Sequence, residues 1–72
     1  MPSTAMDQFA VQVGLRIKAA REATRITQED LSKRIGFNDR QTLAAIEAGV
    51  RKVTAEELVR FMDALSRDLE FF

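Results

Sequence analysis

The chain has 72 residues, and its 11 Lys and Arg residues equal its 11 Asp and Glu residues in number, so the formal net charge is zero. A chain of this length forms a single domain with one small core, and zero net charge argues against a general polyanion binder, which usually carries an excess of cations. The chain contains no cysteine and no histidine, which excludes disulfides, thiolate and imidazole metal ligands, and histidine general bases.

The N-terminal third of the chain predicts one long helix. The opening MPSTAM is small and mostly polar, and we expect residues 1–6 to be disordered. A helix is predicted over about 7–24, because apolar residues recur there at spacings of four and three and form one stripe. The stripe consists of Phe9, Val13, Ile17 and Ala20. No apolar run reaches the roughly 18 residues that a membrane span needs, and no targeting segment is visible, so we expect a cytoplasmic protein.

Two short helices follow in the stretch TQEDLSKRIGFNDRQTLAAIEAG. Thr27 is a good N-cap for a helix from Gln28 to about Ile35, which would bury Leu31 and end at Gly36. The segment FNDR forms the turn. Either Asn38 or Asp39 caps a third helix over about 40–48, which would bury Leu43 and Ile46 and end at Gly49.

The C-terminal third predicts a fourth helix and a shorter fifth helical segment that begins at Ser66. Thr54 and Glu57 have the capping-box spacing, and a helix over about 55–65 follows them. Its expected buried residues are Leu58, Phe61, Met62 and Leu65. No segment alternates with period two. The sequence therefore predicts an all-α fold, a compact domain of four or five helices over residues 7–72.

The two short helices give the main indication of function. Each is shorter than the dozen or so residues that an isolated helix needs. A small domain uses such a pair, joined by a tight turn, to present a short helix to the DNA major groove. The charges are unevenly distributed along the chain. Residues 1–52 have nine cations against six acids, whereas residues 53–72 have two against five, so we expect a dipolar molecule with a positive N-terminal part.

These residues resemble the phage repressor and Cro-type helix-turn-helix domains of the XRE family over about residues 13–66. The segment VGLRIKAAREATRITQEDLSKRIG is similar to the first two helices of that family, and LAAIEAGVRK is similar to the end of its recognition helix. The resemblance implies a lambda-repressor-like fold with the helix-turn-helix at about residues 28–48, no cofactor, and binding to double-stranded DNA.

The sequence departs from that family's pattern at four places. The distance from Gly36 to Gly49 is one residue longer than usual, so the assignment of recognition residues could shift by one position. Arg25 occupies a place where glycine is common, and Ala20 replaces a leucine. Three alanines, Ala44, Ala45 and Ala48, occupy the third helix where polar readers are often found.

The resemblance also implies roles for individual residues. The residues that would read bases are Arg40, Gln41, Thr42 and Ala45. The residues that would contact phosphates are Gln28, Arg51 and Lys52. Arg21 and Glu47 would form a partly buried ion pair, a structural role that we favour over a direct contact of Glu47 with DNA.

The C-terminal residues suggest either a dimer or a longer chain. The adjacent Phe71 and Phe72, together with Leu69, would be exposed to solvent at a chain terminus unless they pack on a partner subunit or on a further part of a longer chain. A homodimer is therefore expected, with these three residues as its candidate interface. The segment from Gly36 to Phe72 also resembles the N-terminal module of ImmA/IrrE-type regulators, whose peptidase motif is absent from this chain.

One other functional class is an open alternative, and a second is not expected. The same fold could serve as a protein-interaction module that docks a protease or toxin domain, since the net charge is zero and the third helix is rich in alanine. An enzyme is not expected, because no paired acids lie in an apolar setting and no nucleophile lies beside a base.

Overall fold

A computed structural model describes residues 4–67 of the chain, and this part contains four α-helices and no strand. The helices are α1 (Thr4–Ala23), α2 (Gln28–Ile35), α3 (Arg40–Glu47) and α4 (Ala55–Leu65). The all-α prediction is confirmed. The predicted fifth segment lies outside the described residues apart from Ser66 and Arg67, and so does the candidate dimer interface of Leu69, Phe71 and Phe72.

The first helix is longer than predicted, and it buries three of the four residues of the predicted stripe, Val13, Ile17 and Ala20. It begins at Thr4 rather than at about Asp7, and the alanine that follows Thr4 in the sequence is a strong helix former. Phe9 was expected in the core but is 69% exposed. Ala10 is buried instead, because the buried positions of α1 are centred on the side that carries Ala10 and Gly14, about 80° around the helix from Phe9.

The second and third helices have the predicted caps. The hydroxyl of Thr27 accepts a hydrogen bond from the amide of Asp30, and Gly36 ends α2 with a φ of 98°. Asp39, and not Asn38, caps α3 by accepting from the amide of Thr42 over 3.1 Å. The third helix ends at Glu47, one residue earlier than predicted, with Ala48 as its C-cap.

The core lies between α1 and the three shorter helices. Its buried residues come from every helix: Val13, Ile17, Ala20, Leu31, Ile35, Leu43, Ile46, Phe61 and Leu65. Leu58 and Met62 were predicted to be buried but are half-buried, because α4 covers the core at one edge and only the positions of Phe61 and Leu65 point straight into it. No helix among the described residues is long and apolar enough to cross a membrane.

One close approach fixes how α1 crosses α3. A Cβ added at Gly14 would overlap the carbonyl oxygen of Ile46 and lie 3.1 Å from that of Glu47. The glycine therefore allows the backbone of α1 to contact the C-terminal turn of α3 directly. This contact places α3 at the edge of the domain, with one face against the core and the other directed outward.

Candidate nucleic-acid interface

The third helix separates its residues cleanly into an anchored face and an outward face. Leu43 and Ile46 are 0% exposed and hold the helix in the core. Arg40 and Gln41, at the start of the helix, are exposed. The outward face continues along three alanines, of which Ala48 is exposed and Ala44 and Ala45 are half-buried.

A buried carboxylate fixes the C-terminal end of α3. Glu47 is 6% exposed, and its Oε2 accepts from Arg21 Nε over 2.7 Å while its Oε1 accepts from Arg21 Nη2 over 3.2 Å. This hydrogen bond to Glu47 raises the pKa of Arg21 against the opposing effect of burial. Arg21 also donates to the carbonyl of Ile26 over 2.8 Å, so that one guanidinium joins α1, the loop before α2, and α3.

The side chain of Gln28 connects this ion pair to the start of α3. Its Nε2 donates to Glu47 Oε1 over 3.0 Å, and its Oε1 accepts from Arg40 Nη1 over 3.3 Å. An amide nitrogen has two hydrogens. Gln28 can therefore hold Glu47 with one hydrogen, orient Arg40 through its oxygen, and still offer a second hydrogen to an acceptor such as a phosphate.

Thr42 takes part in the cap of α3. Its backbone amide and its hydroxyl both approach Asp39 Oδ1, at 3.1 and 3.4 Å. The residue is half-buried. Of the four residues assigned to base reading, Arg40 and Gln41 are exposed, while Thr42 and Ala45 are half-buried.

The loop after α3 contains a second, more exposed ion pair. Arg51 Nη1 and Nη2 donate to the two carboxylate oxygens of Glu57, each over 2.9 Å. The guanidinium carbon of Arg51 lies 5.6 Å from the ring centroid of Phe37. Hydrogen bonds from Arg51 hold the pKa of Glu57 below its usual value, although burial acts in the opposite direction. The neighbouring Lys52 is exposed.

A comparison with protein families agrees with this geometry. A family model described as helix-turn-helix matches residues 17–72. The chain belongs to the helix-turn-helix family. Membership supports a DNA-binding domain of a transcription regulator, in which α2 and α3 form the helix-turn-helix. No curated protein and no solved structure matches the chain.

The helix-turn-helix brings together most of the residues that the sequence singled out. Gln28, Arg40 and Glu47 form one connected group with Arg21, and Gln41 lies beside it at the outer edge of α3. The two predicted cations of the following loop differ in their surroundings. Arg51 is paired with a carboxylate, which the resemblance to repressors did not indicate.

Three residues of the helix-turn-helix surroundings were missed in the sequence. Glu57 was recognised only as half of a capping box, and Phe37 only as part of the turn. Ser32 is 2% exposed, and its hydroxyl oxygen is buried without a hydrogen-bond partner. No pattern in the sequence indicated its burial, since it lies next to Leu31 and outside the spacing of the buried pair Leu31 and Ile35.

Proposed function

We propose that this helix-turn-helix domain binds specific DNA sequences as part of a transcription regulator and inserts α3 into the major groove. The observation that carries the proposal is the division of α3, since Leu43 and Ile46 anchor one face while Arg40 and Gln41 extend from the other. The major groove admits one α-helix, and the N-terminal residues of such a helix reach the base edges.

The side chains on the outward face define what α3 would read. Arginine donates two hydrogen bonds to the O6 and N7 of guanine, and glutamine pairs with adenine. Arg40 and Gln41 would make these contacts. Ala45 lies one turn further along, where its methyl group would contact the methyl group of thymine, and Thr42 would contribute a hydroxyl at the flank.

Contacts to the DNA backbone would fix the register of the helix. Gln28 has a second amide hydrogen directed by its bonds to Glu47 and Arg40, and this hydrogen would meet a phosphate. Lys52 follows the recognition helix and would neutralise another phosphate. Such contacts supply affinity that depends on salt but carry no sequence information.

Two or three base-reading residues in one domain specify a short half-site. We therefore propose that the protein acts as a cytoplasmic homodimer, with Leu69, Phe71 and Phe72 as the candidate interface, or as one DNA-binding module of a longer regulator. Two copies would double the number of bases read and would place the half-sites about one helical turn apart.

Selection from a randomised duplex pool tests the proposal. The protein is mixed with the pool at low salt, retained duplexes are sequenced, and fluorescence anisotropy gives the affinity for the enriched site and for a scrambled one. We expect enrichment of a motif with two spaced half-sites, and an affinity that falls steeply with salt. An unspaced half-site would argue against the dimer, and no enrichment would favour a module that docks another protein.

A further inference from the structure

We propose that Glu57 competes with the DNA backbone for Arg51, so that this carboxylate sets how many phosphates the domain contacts and how tightly it binds DNA. The inference rests on the proposed function, because it concerns the affinity of the same interface. It assigns to Glu57 a role beyond the capping of α4.

The ion pair occupies the forked edge of Arg51 that Nη1 and Nη2 form, and Nη1 also donates to the carbonyl of Lys52 over 3.0 Å. Two parallel N–H···O bonds of 2.9 Å join the guanidinium to the carboxylate. This is the forked geometry with which arginine also recognises phosphate. The carboxylate of Glu57 therefore stands where a phosphate oxygen pair would otherwise bind.

The carboxylate is fixed in advance. Glu57 Oε1 also accepts from the backbone amide of Thr54 over 3.1 Å, and the hydroxyl of Thr54 accepts from the backbone amide of Glu57 over 3.1 Å. The side chain of Glu57 is only 14% exposed, compared with 38% for Arg51. Arg51 would have to leave an ordered partner in order to reach DNA.

Arg51 nevertheless lies close to the recognition helix. Its backbone amide donates to the carbonyl of Ala45 over 3.2 Å, and its guanidinium lies against the ring of Phe37 in the turn between α2 and α3. The charge is thus located at the edge of the proposed interface but is balanced by an acid. An arginine at the edge of this interface would contribute a phosphate contact if the acid were neutral.

The test is the variant Glu57→Gln. Glutamine has nearly the same size and also completes a capping box, so the change removes the charge while the cap of α4 is kept. Each phosphate contact adds about 0.9 to the slope of log affinity against log salt. We expect Glu57→Gln to steepen that slope by about 0.9 on a duplex of scrambled sequence, and to tighten binding by about eightfold at 0.1 M salt.

Two control variants separate this effect from a general change in charge. Glu56→Gln removes the same charge from the neighbouring position, where the carboxylate lies 3.4 Å from Arg60 and is 79% exposed, and it should leave the slope unchanged. The double variant with Arg51→Gln should show no gain. Thermal unfolding by circular dichroism verifies that each variant is folded.

A second, independent measurement uses the variant Arg51→Gln in the protein that retains Glu57. If Glu57 withholds Arg51, then Arg51→Gln alone should leave the salt slope unchanged, whereas a slope shallower by about 0.9 would show that Arg51 already contacts a phosphate and would overturn the inference. An unchanged or weaker affinity of folded Glu57→Gln, or an equal gain in the double variant, would also overturn it. If neither the parent protein nor any variant binds DNA, the proposed function itself falls.

Discussion

Arg21 of α1 and Glu47 of α3 form an ion pair that joins the first helix to the end of the third. The Nε–Oε2 distance is 2.7 Å, and the side chains are only 12% and 4% exposed. A pair with so little access to water is weakly screened, and the loss of one partner leaves an uncompensated charge behind. The orientation of α3 therefore depends on this pair as well as on apolar packing.

We predict that Glu47→Ala destabilises the domain by about 3–5 kcal/mol, because Arg21 is left in a largely buried position without its partner. Urea-induced unfolding followed by circular dichroism measures the change. Glu22→Ala is the matched control, since Glu22 also lies near Arg21, at 3.9 Å, but is 60% exposed, and an exposed pair contributes at most about 1 kcal/mol. Equal losses for the two variants would contradict the structural role of the Arg21–Glu47 pair.

Replacement of Gly14 by alanine should reverse the usual effect of that substitution. Within a helix, alanine normally stabilises by about 0.5–1 kcal/mol relative to glycine. Here the added Cβ would overlap the backbone of Ile46, so we expect a loss of about 1–3 kcal/mol instead. The midpoint of urea unfolding measures it, with Ala19→Gly at an exposed position of α1 as a control for helix propensity. A stabilised Gly14→Ala variant would show that α1 and α3 lie further apart.

Ser32→Ala should stabilise the domain. The hydroxyl oxygen of Ser32 is buried without a hydrogen-bond partner, and a buried polar group in that state costs about 1–3 kcal/mol. Alanine removes the oxygen, leaves the packing of α2 against α3 nearly unchanged and favours a helix. The midpoint of thermal unfolding should rise. Thr27→Ala, which removes the cap of the same helix, should lower it by comparison, and a drop for Ser32→Ala would mean that the hydroxyl is hydrogen-bonded in solution.

The contribution of the Arg51–Glu57 pair to stability should disappear in acid. Hydrogen bonds from Arg51 lower the pKa of Glu57 from its ordinary 4.5. A carboxyl whose pKa is lower in the folded state stabilises that state above the unfolded pKa, and the stabilisation is lost as the pH falls through the folded pKa. Glu57→Gln should therefore be less stable than the parent at neutral pH, and the two unfolding free energies should begin to converge as the pH falls below 4.5 and should meet below the lowered pKa of Glu57. A difference that does not change with pH would contradict this assignment.

The proposed base-reading residues are tested by comparing the affinity of each variant for the selected site with its affinity for a scrambled duplex. We expect Arg40→Ala and Gln41→Ala each to weaken binding to the selected site by about 1–3 kcal/mol and to leave binding to scrambled duplex nearly unchanged. Lys52→Ala is the control, because the loss of a phosphate contact should weaken both by similar factors. Fluorescence anisotropy at fixed salt gives the affinities. Equal losses on both duplexes for Arg40→Ala or Gln41→Ala would show that other residues of α3 read the bases.

The elements could be predicted because their signals are local. Thr27 and Gly36 determine where α2 begins and ends through hydrogen bonds and a backbone angle within the same few residues, and Thr54 does the same for α4. Arg25, which occupies a place where the family often has glycine, has a φ of 59°. Phe9 shows the limit of this reasoning, because an apolar residue at helical spacing is buried only if another element covers it.

By itself, the sequence determined the four helices, their N-caps and most of the core, because capping and periodicity act between residues that are close along the chain. Only the tertiary structure decided that Gln28 links Glu47 to Arg40, that Arg51 is held by Glu57, and that Ser32 is enclosed without a partner. These three features depend on side chains from different segments, which meet when α2, α3, α4 and the loop between α3 and α4 pack together. Their distances follow from the crossing of the helices, to which the approach at Gly14 contributes, and that crossing cannot be derived from the spacing of residues along one chain.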